Sequence, residues 1–113
     1  MIQQGSDGTP ISAIPAALAT RTTLLLGLWA SKDQNEFAKE LGALKSAIDQ
    51  YGSQGLSDIV VGISVGSEDL YRNSVLGVEA GSDPGQDVSV LLDYIQQARA
   101  VVKGSVLETV PIG

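Results

Sequence analysis

Two uninterrupted apolar runs set the rhythm of the chain, Thr22 to Ala30 (TTLLLGLWA) and Ile59 to Val65 (IVVGISV). Each is bracketed by segments whose apolar residues recur every three or four positions. The runs have strand length and the intervening periodicity is helical. The pattern therefore predicts an α/β chain with parallel strands at about 22–30 and 58–66 and flanking helices, the second strand buried on both faces. Between the runs, Phe37, Leu41, Leu44 and Ile48 share one helical face, with Ala38 and Ala47 beside them. Glu36, Lys39, Glu40, Lys45 and Asp49 fall mainly on the wet side. Asp33 and Glu36 have capping-box spacing at the start of this helix, and Gly52 and Gly55 stop it.

Ahead of the first run, Gly5 to Thr9 is a turn cluster, and Ser12 to Thr20 reads as a helix with Pro15 in its first turn. Beyond the second run, Asn73 to Ser82 reads as a loop. Asp83-Pro84-Gly85-Gln86 then supplies an N-cap and a proline at the first helical position. The helix it opens carries Val88, Leu91, Leu92, Ile95 and Val102 on one face and ends at Gly104. Thr109 to Ile112 has the pattern of another strand. This order is that of repeated βα units. Two strands are few for an open sheet, and their uncovered edges would allow self-association. The expectation is that residues 1–113 are an incomplete domain, the middle of a larger α/β fold.

Composition removes options. Of 113 residues, 43% are hydrophobic and 18% charged, as in a globular domain, and no apolar run approaches the roughly 20 residues of a transmembrane helix. Seven basic against 13 acidic residues give a net charge of −6, which repels the phosphate backbone and argues against nucleic acid as a partner. The absence of cysteine removes disulfides and thiolate metal sites. The absence of histidine removes the commonest general base and zinc ligand, and no cofactor or metal is expected. Met1 to Asp7 lacks the charged and apolar regions of a secretory signal.

Gly62-Ile63-Ser64-Val65-Gly66 matches the G-x-S-x-G of a nucleophile elbow. The elbow needs a histidine base and a strand-to-helix turn at the serine; here the match lies inside the apolar run, so it reads as a strand with closely packed glycines. Ser67-Glu68-Asp69, where the second run ends, is the stronger candidate. Ligands and catalytic groups collect at the carboxyl ends of parallel strands. A carboxyl there, shielded by aromatic side chains, can act as the general acid that breaks a glycosidic bond. The alternative is an acidic pair on a solvated loop. Trp29 and Tyr71 could stack on a sugar ring, or Trp29 could be core; Arg72 could pair with Asp69, orient Glu68 or form a plain loop ion pair.

SVGSEDLYR, with the upstream LLLGLWAS and NEFAKELGALKSAIDQYG, closely resembles fungal glycoside hydrolase family 17, the β-1,3-glucanases and related glucanosyltransferases of cell walls. The resemblance runs in order and spacing from about Gly5 to Gly113. It implies a partial (β/α)8 TIM barrel in which 22–30 and 58–66 are the third and fourth strands, a retaining mechanism on β-1,3-glucan, and an extracellular or cell-wall location for the full-length family. It makes Glu68 the catalytic acid/base; Ser67, Trp29, Tyr71, Asp69, Arg72 and Asp7 are the candidate substrate-binding residues. Most relatives have Asn before this Glu, so the shorter Ser67 replaces only part of its reach to the sugar 2-hydroxyl. The nucleophile of the family, a second Glu on the seventh strand, has no counterpart here. The other class of function open to such a chain is a non-catalytic β-glucan- or partner-binding module.

Overall fold

The amino-terminal turn cluster closes a small hairpin. In the computed structural model, which describes residues 1–113, β1 (Gln3–Gln4) pairs antiparallel with β2 (Thr9–Pro10). Helix α1 (Ala13–Thr20) follows, with Pro15 in its first turn and Arg21 in a left-handed cap conformation. Strand β3 (Leu24–Leu28) is shorter than the apolar run that announces it: Thr22 and Thr23 stay outside it and are exposed.

Helix α2 (Gln34–Tyr51) starts at Asp33, whose side chain accepts from the Glu36 backbone N–H at 2.9 Å. Glu36 does not return the bond in capping-box fashion but pairs with Lys39 at 2.9 Å. Gly52 remains helical at φ −54° and leads into a 3₁₀ turn over Gly52–Gln54; Gly55, at φ +90°, makes the break. A single turn, α3 (Leu56–Ile59), then buries Leu56 and Ile59, three residues apart, before β4 (Val60–Val65) begins. The strand therefore starts two residues later than its apolar pattern suggests, since i, i+3 burial in a helical turn and the start of a buried strand look alike in sequence.

β3 and β4 pair in parallel, Leu26 opposite Ile63 and Leu28 opposite Val65, with an irregularity between Leu24 and Leu25. On the far side of β4, the chain end makes the beginning of a third parallel strand: Ile63 N–H donates to the Pro111 carbonyl at 2.9 Å, and Ile63 bridges Ile112. One sheet face packs on α2 and on α6 (Val88–Val102), where Phe37 stacks on Tyr94 at 3.9 Å between ring centroids. The other face is open, with Leu25 67% and Val61 55% exposed. Burial of the second strand on both faces is thus corrected: within these residues nothing covers the side of β4 that carries Val61.

Two further readings are overturned by tertiary contacts. The segment Asn73 to Ser82 holds a short helix, α5 (Val75–Glu79), capped by the Ser74 hydroxyl, after the single turn α4 (Asp69–Arg72). Asp83 to Gln86 is loop, and Asp87 occupies the N-cap of α6. The capping signature fails because other residues claim the segment: Asn73 brackets Gly85 through its N–H and carbonyl, and Arg72 takes the Asp83 and Pro84 carbonyls. The buried face of α6 is Tyr94, Ala98 and Val102, with Leu91 and Ile95 half-buried, whereas Val88 and Leu92 are exposed. On α2, Glu40 is buried, since the strand pair β1–β2 and Ile2 cover the face the helical pattern leaves wet. No helix is long and apolar enough to cross a membrane.

Candidate functional site

The carboxyl ends of β3 and β4 open into two adjoining hollows. One, of about 310 Å³, is lined by Glu68, Tyr71, Ser64 and Leu91 among others; the next, of about 220 Å³, by Trp29, Gly27 and Met1. Gly66 and Ser67 line both and form the ridge between them. Sequence reasoning places Trp29, Ser67, Glu68, Asp69, Tyr71 and Arg72 at one strand-end site, and the fold brings these six together. Parallel pairing of β3 and β4 accounts for it, since it puts the ends of both strands on the same side.

Asp7 is elsewhere. It sits in the turn of the β1–β2 hairpin, which packs near Lys39 of α2, and lines neither hollow. Hydrogen bonding from Thr9, side chain and backbone N–H, holds its exposed carboxyl below the usual range. The two-residue strand β1 precedes it.

Glu68 is exposed and adopts φ +54°, ψ +27°, a left-handed conformation uncommon for any residue but glycine. Asp69, next to it, is turned inward and only 3% exposed. Its Oδ1 accepts from the Ser67 N–H at 2.7 Å; its Oδ2 accepts from the Ser31 hydroxyl at 2.8 Å and the Gln86 N–H at 2.7 Å, and lies 3.3 Å from the Arg72 guanidinium. Burial pushes this carboxyl up, but the Gln86 and Ser67 N–H groups, the Ser31 hydroxyl and the Arg72 charge together outweigh it and leave it below the carboxylate range. Both oxygens of Asp69 are thus engaged within the protein.

Arg72 is equally committed. It donates through Nε to the Ser67 carbonyl at 3.0 Å, through Nη1 to the Asp83 and Pro84 carbonyls, and through Nη2 to Ser31, while its guanidinium lies 5.2 Å from the Trp29 ring centroid. Trp29 is half-buried under this cation, and Tyr71 is 48% exposed. Sequence reasoning missed Ser31 and misplaced Gln86. Neither could be found locally, because each is defined by meeting a carboxylate distant in the chain. Glu79, Asp83 and Glu108 line neither hollow, so Glu68 is the solvent-facing carboxylate of this site.

No family model matches the chain. Among curated proteins, it is 57% identical over all 113 residues to a "Probable glucan endo-1,3-beta-glucosidase" of Aspergillus terreus, of which it covers 23%. It is 54% identical over 110 residues to a protein of the same name in Emericella nidulans, covering 23% of that chain. A "Glucan 1,3-beta-glucosidase" of Arthroderma benhamiae is 33% identical over 72 residues, 64% of this chain and 21% of that protein. The chain thus spans about a quarter of the length of the two Aspergillus-type relatives. Its resemblance to fungal β-1,3-glucan hydrolases holds along its whole length, and the resemblance is to enzymes.

Proposed function

We propose that residues 1–113 are part of a family 17 (β/α)8 glycoside hydrolase domain and carry the acid/base side of a cleft for β-1,3-glucan. The observation that supports this best is Glu68 itself, a solvent-facing carboxylate at the carboxyl end of an inner parallel strand, on the rim of two hollows that also expose Tyr71 and Trp29. In this reading β3 and β4 are neighbouring barrel strands, and the open face bearing Leu25 and Val61 is the one a completed barrel would fill with side chains. The proposal places the parent protein outside the cell or in its wall.

Retaining cleavage needs two carboxyl groups about 5 to 5.5 Å apart. In the first step the Glu68 carboxylic acid gives its proton to the glycosidic oxygen as the C1–O bond breaks, and a carboxylate supplied from outside these residues bonds to C1. In the second, the Glu68 carboxylate takes a proton from water, whose oxygen bonds to C1 as the enzyme–sugar bond breaks. A sugar hydroxyl in place of water gives glucan transfer. In this reading Ser67, on the ridge beside Glu68, meets the sugar hydroxyl nearest the reacting carbon, and Tyr71 and Trp29 stack on flanking rings.

The test is a hybrid of the Aspergillus terreus relative in which this chain replaces the matching segment. The hybrid should hydrolyse laminarin, and Glu68→Gln should lower the rate by about 10²- to 10⁴-fold, the usual worth of a positioned general acid. Equal, substantial turnover by both ends the assignment to Glu68. Saturable laminarin binding by a folded hybrid that never cleaves favours the non-catalytic binding module instead.

A further inference from the structure

We propose that Asp69, acting with Arg72, is the positioning residue for the Glu68 carboxyl: the pair locks the peptide groups on both sides of residue 68 and so fixes where its side chain is delivered. The proposal rests on the acid/base reading of Glu68 above, and goes beyond it by assigning a role to two charged residues whose polar atoms are engaged within the protein.

The backbone needs such a lock. At φ +54° the Cβ of Glu68 crowds the following carbonyl, so an unconstrained turn would relax to a right-handed or extended conformation and swing the side chain away. The groups around residue 68 are pinned one by one. The Ser67 N–H is held by Asp69 Oδ1, the Ser67 carbonyl by Arg72 Nε, and the Glu68 carbonyl by the Arg72 backbone N–H at 2.9 Å. The Asp69 side chain therefore reaches back across Glu68, and Arg72 closes the turn from the other direction.

The lock is itself anchored. Gln86 N–H and the Ser31 hydroxyl fill the other oxygen of Asp69, and Arg72 reaches the Asp83 and Pro84 carbonyls. Space is cleared for it: a Cβ at Gly66 would meet Asp69 Oδ1 at 2.5 Å, and one at Gly85 would collide with the Asp69 backbone. The chemistry asks for an aspartate, because both oxygens face donors. An asparagine at 69 would point its NH₂ at an N–H group, leaving two donors opposed and the Ser67 or Gln86 amide unpaired.

Positioning and mere structural support are separated by the leaving group. Laminarin departs only if its glycosidic oxygen is protonated, whereas a dinitrophenolate departs without a proton. A displaced acid therefore slows the first substrate and spares the second. In the hybrid enzyme, kcat/KM is measured on laminarin and on a 2,4-dinitrophenyl β-laminaribioside for the parent, Glu68→Gln, Asp69→Asn and Arg72→Lys, with folding followed by near-ultraviolet circular dichroism.

Asp69→Asn should lose about 10- to 100-fold on laminarin, as expected of a reacting group misplaced by about 1 Å, and less than about threefold on the aryl substrate. Arg72→Lys keeps the charge but loses the fork to Ser67 and Asp69, and should show a smaller split in the same direction; it decides the matter if Asp69→Asn does not fold. Equal losses on both substrates, or none, in the folded variants overturn the positioning role if Glu68→Gln still discriminates. Should Glu68→Gln fail to discriminate, the acid/base reading falls and this proposal falls with it.

Discussion

Two carboxylates lie almost wholly out of water, Asp69 in the turn after β4 and Glu40 in the middle of α2, at 3% and 1% exposure. Burial penalises the charged form of both, yet their affinities for a proton move in opposite directions. Asp69 is met by two backbone N–H groups, a hydroxyl and a guanidinium. Glu40 has one partner, the Ile2 N–H at 2.8 Å on Oε2, and its Oε1 is without any. Its burial outweighs that bond and the nearby amino-terminal charge, and holds the carboxyl above its ordinary value. What decides the fate of a buried charge is the number of donors brought to it.

The comparison breaks most sharply at Asp69. Asp69→Ala strands Arg72 and three other donors, and should cost about 3 to 5 kcal/mol in urea unfolding at pH 7, in the range for removing one member of a buried ion pair. The pH dependence carries the sign. Because the folded-state pKa lies below the unfolded value of about 3.9, the unfolded chain binds more protons as pH falls, so the advantage of the parent is complete above that value and fades as pH drops through the folded one.

A steric version comes next. Gly85→Ala sets a methyl group against the Asp69 backbone and should cost about 1 to 3 kcal/mol, the range for overpacking. Protection of the Gln86 amide in hydrogen exchange should fall with it; retained protection would mean that the loop yields without leaving Asp69.

The smallest effect has the opposite sign. Glu40→Gln keeps an acceptor for Ile2 and removes a charge that burial disfavours, and should raise stability by about 1 kcal/mol at pH 7. Since the folded pKa of Glu40 is raised above 4.5, the folded parent loses stability as pH rises from the unfolded value through the folded one. The gain of the variant should accordingly vanish below about pH 4.5. A gain that persists in acid would point to packing rather than charge.

The same contrast explains what could be read from sequence. Helix α2 is legible because Asp33, the spacing of Phe37 and Leu44, and Gly55 are all local signals. The site is legible down to six neighbouring residues because parallel strands place their ends together. The burial of Asp69 is not, since a charged residue beside an exposed Glu looks like surface until Ser31 and Gln86 are folded onto it. The cap at Asp83 misleads for the same reason: its helix-starting chemistry is local, and Asn73 and Arg72 outbid it from a distance. Glu40 sits on the polar side of its helix by pattern, and only the covering amino-terminal segment buries it.

The fan of contacts around Arg72 also bears on how such sequences diverge. One guanidinium touches residues 29 and 31, residues 67 and 69, and the carbonyls of 83 and 84. Three stretches of the gene thereby answer to a single codon. Substitutions in any one of them are expected to be tolerated only in combination, so that among descendants these stretches drift together or not at all.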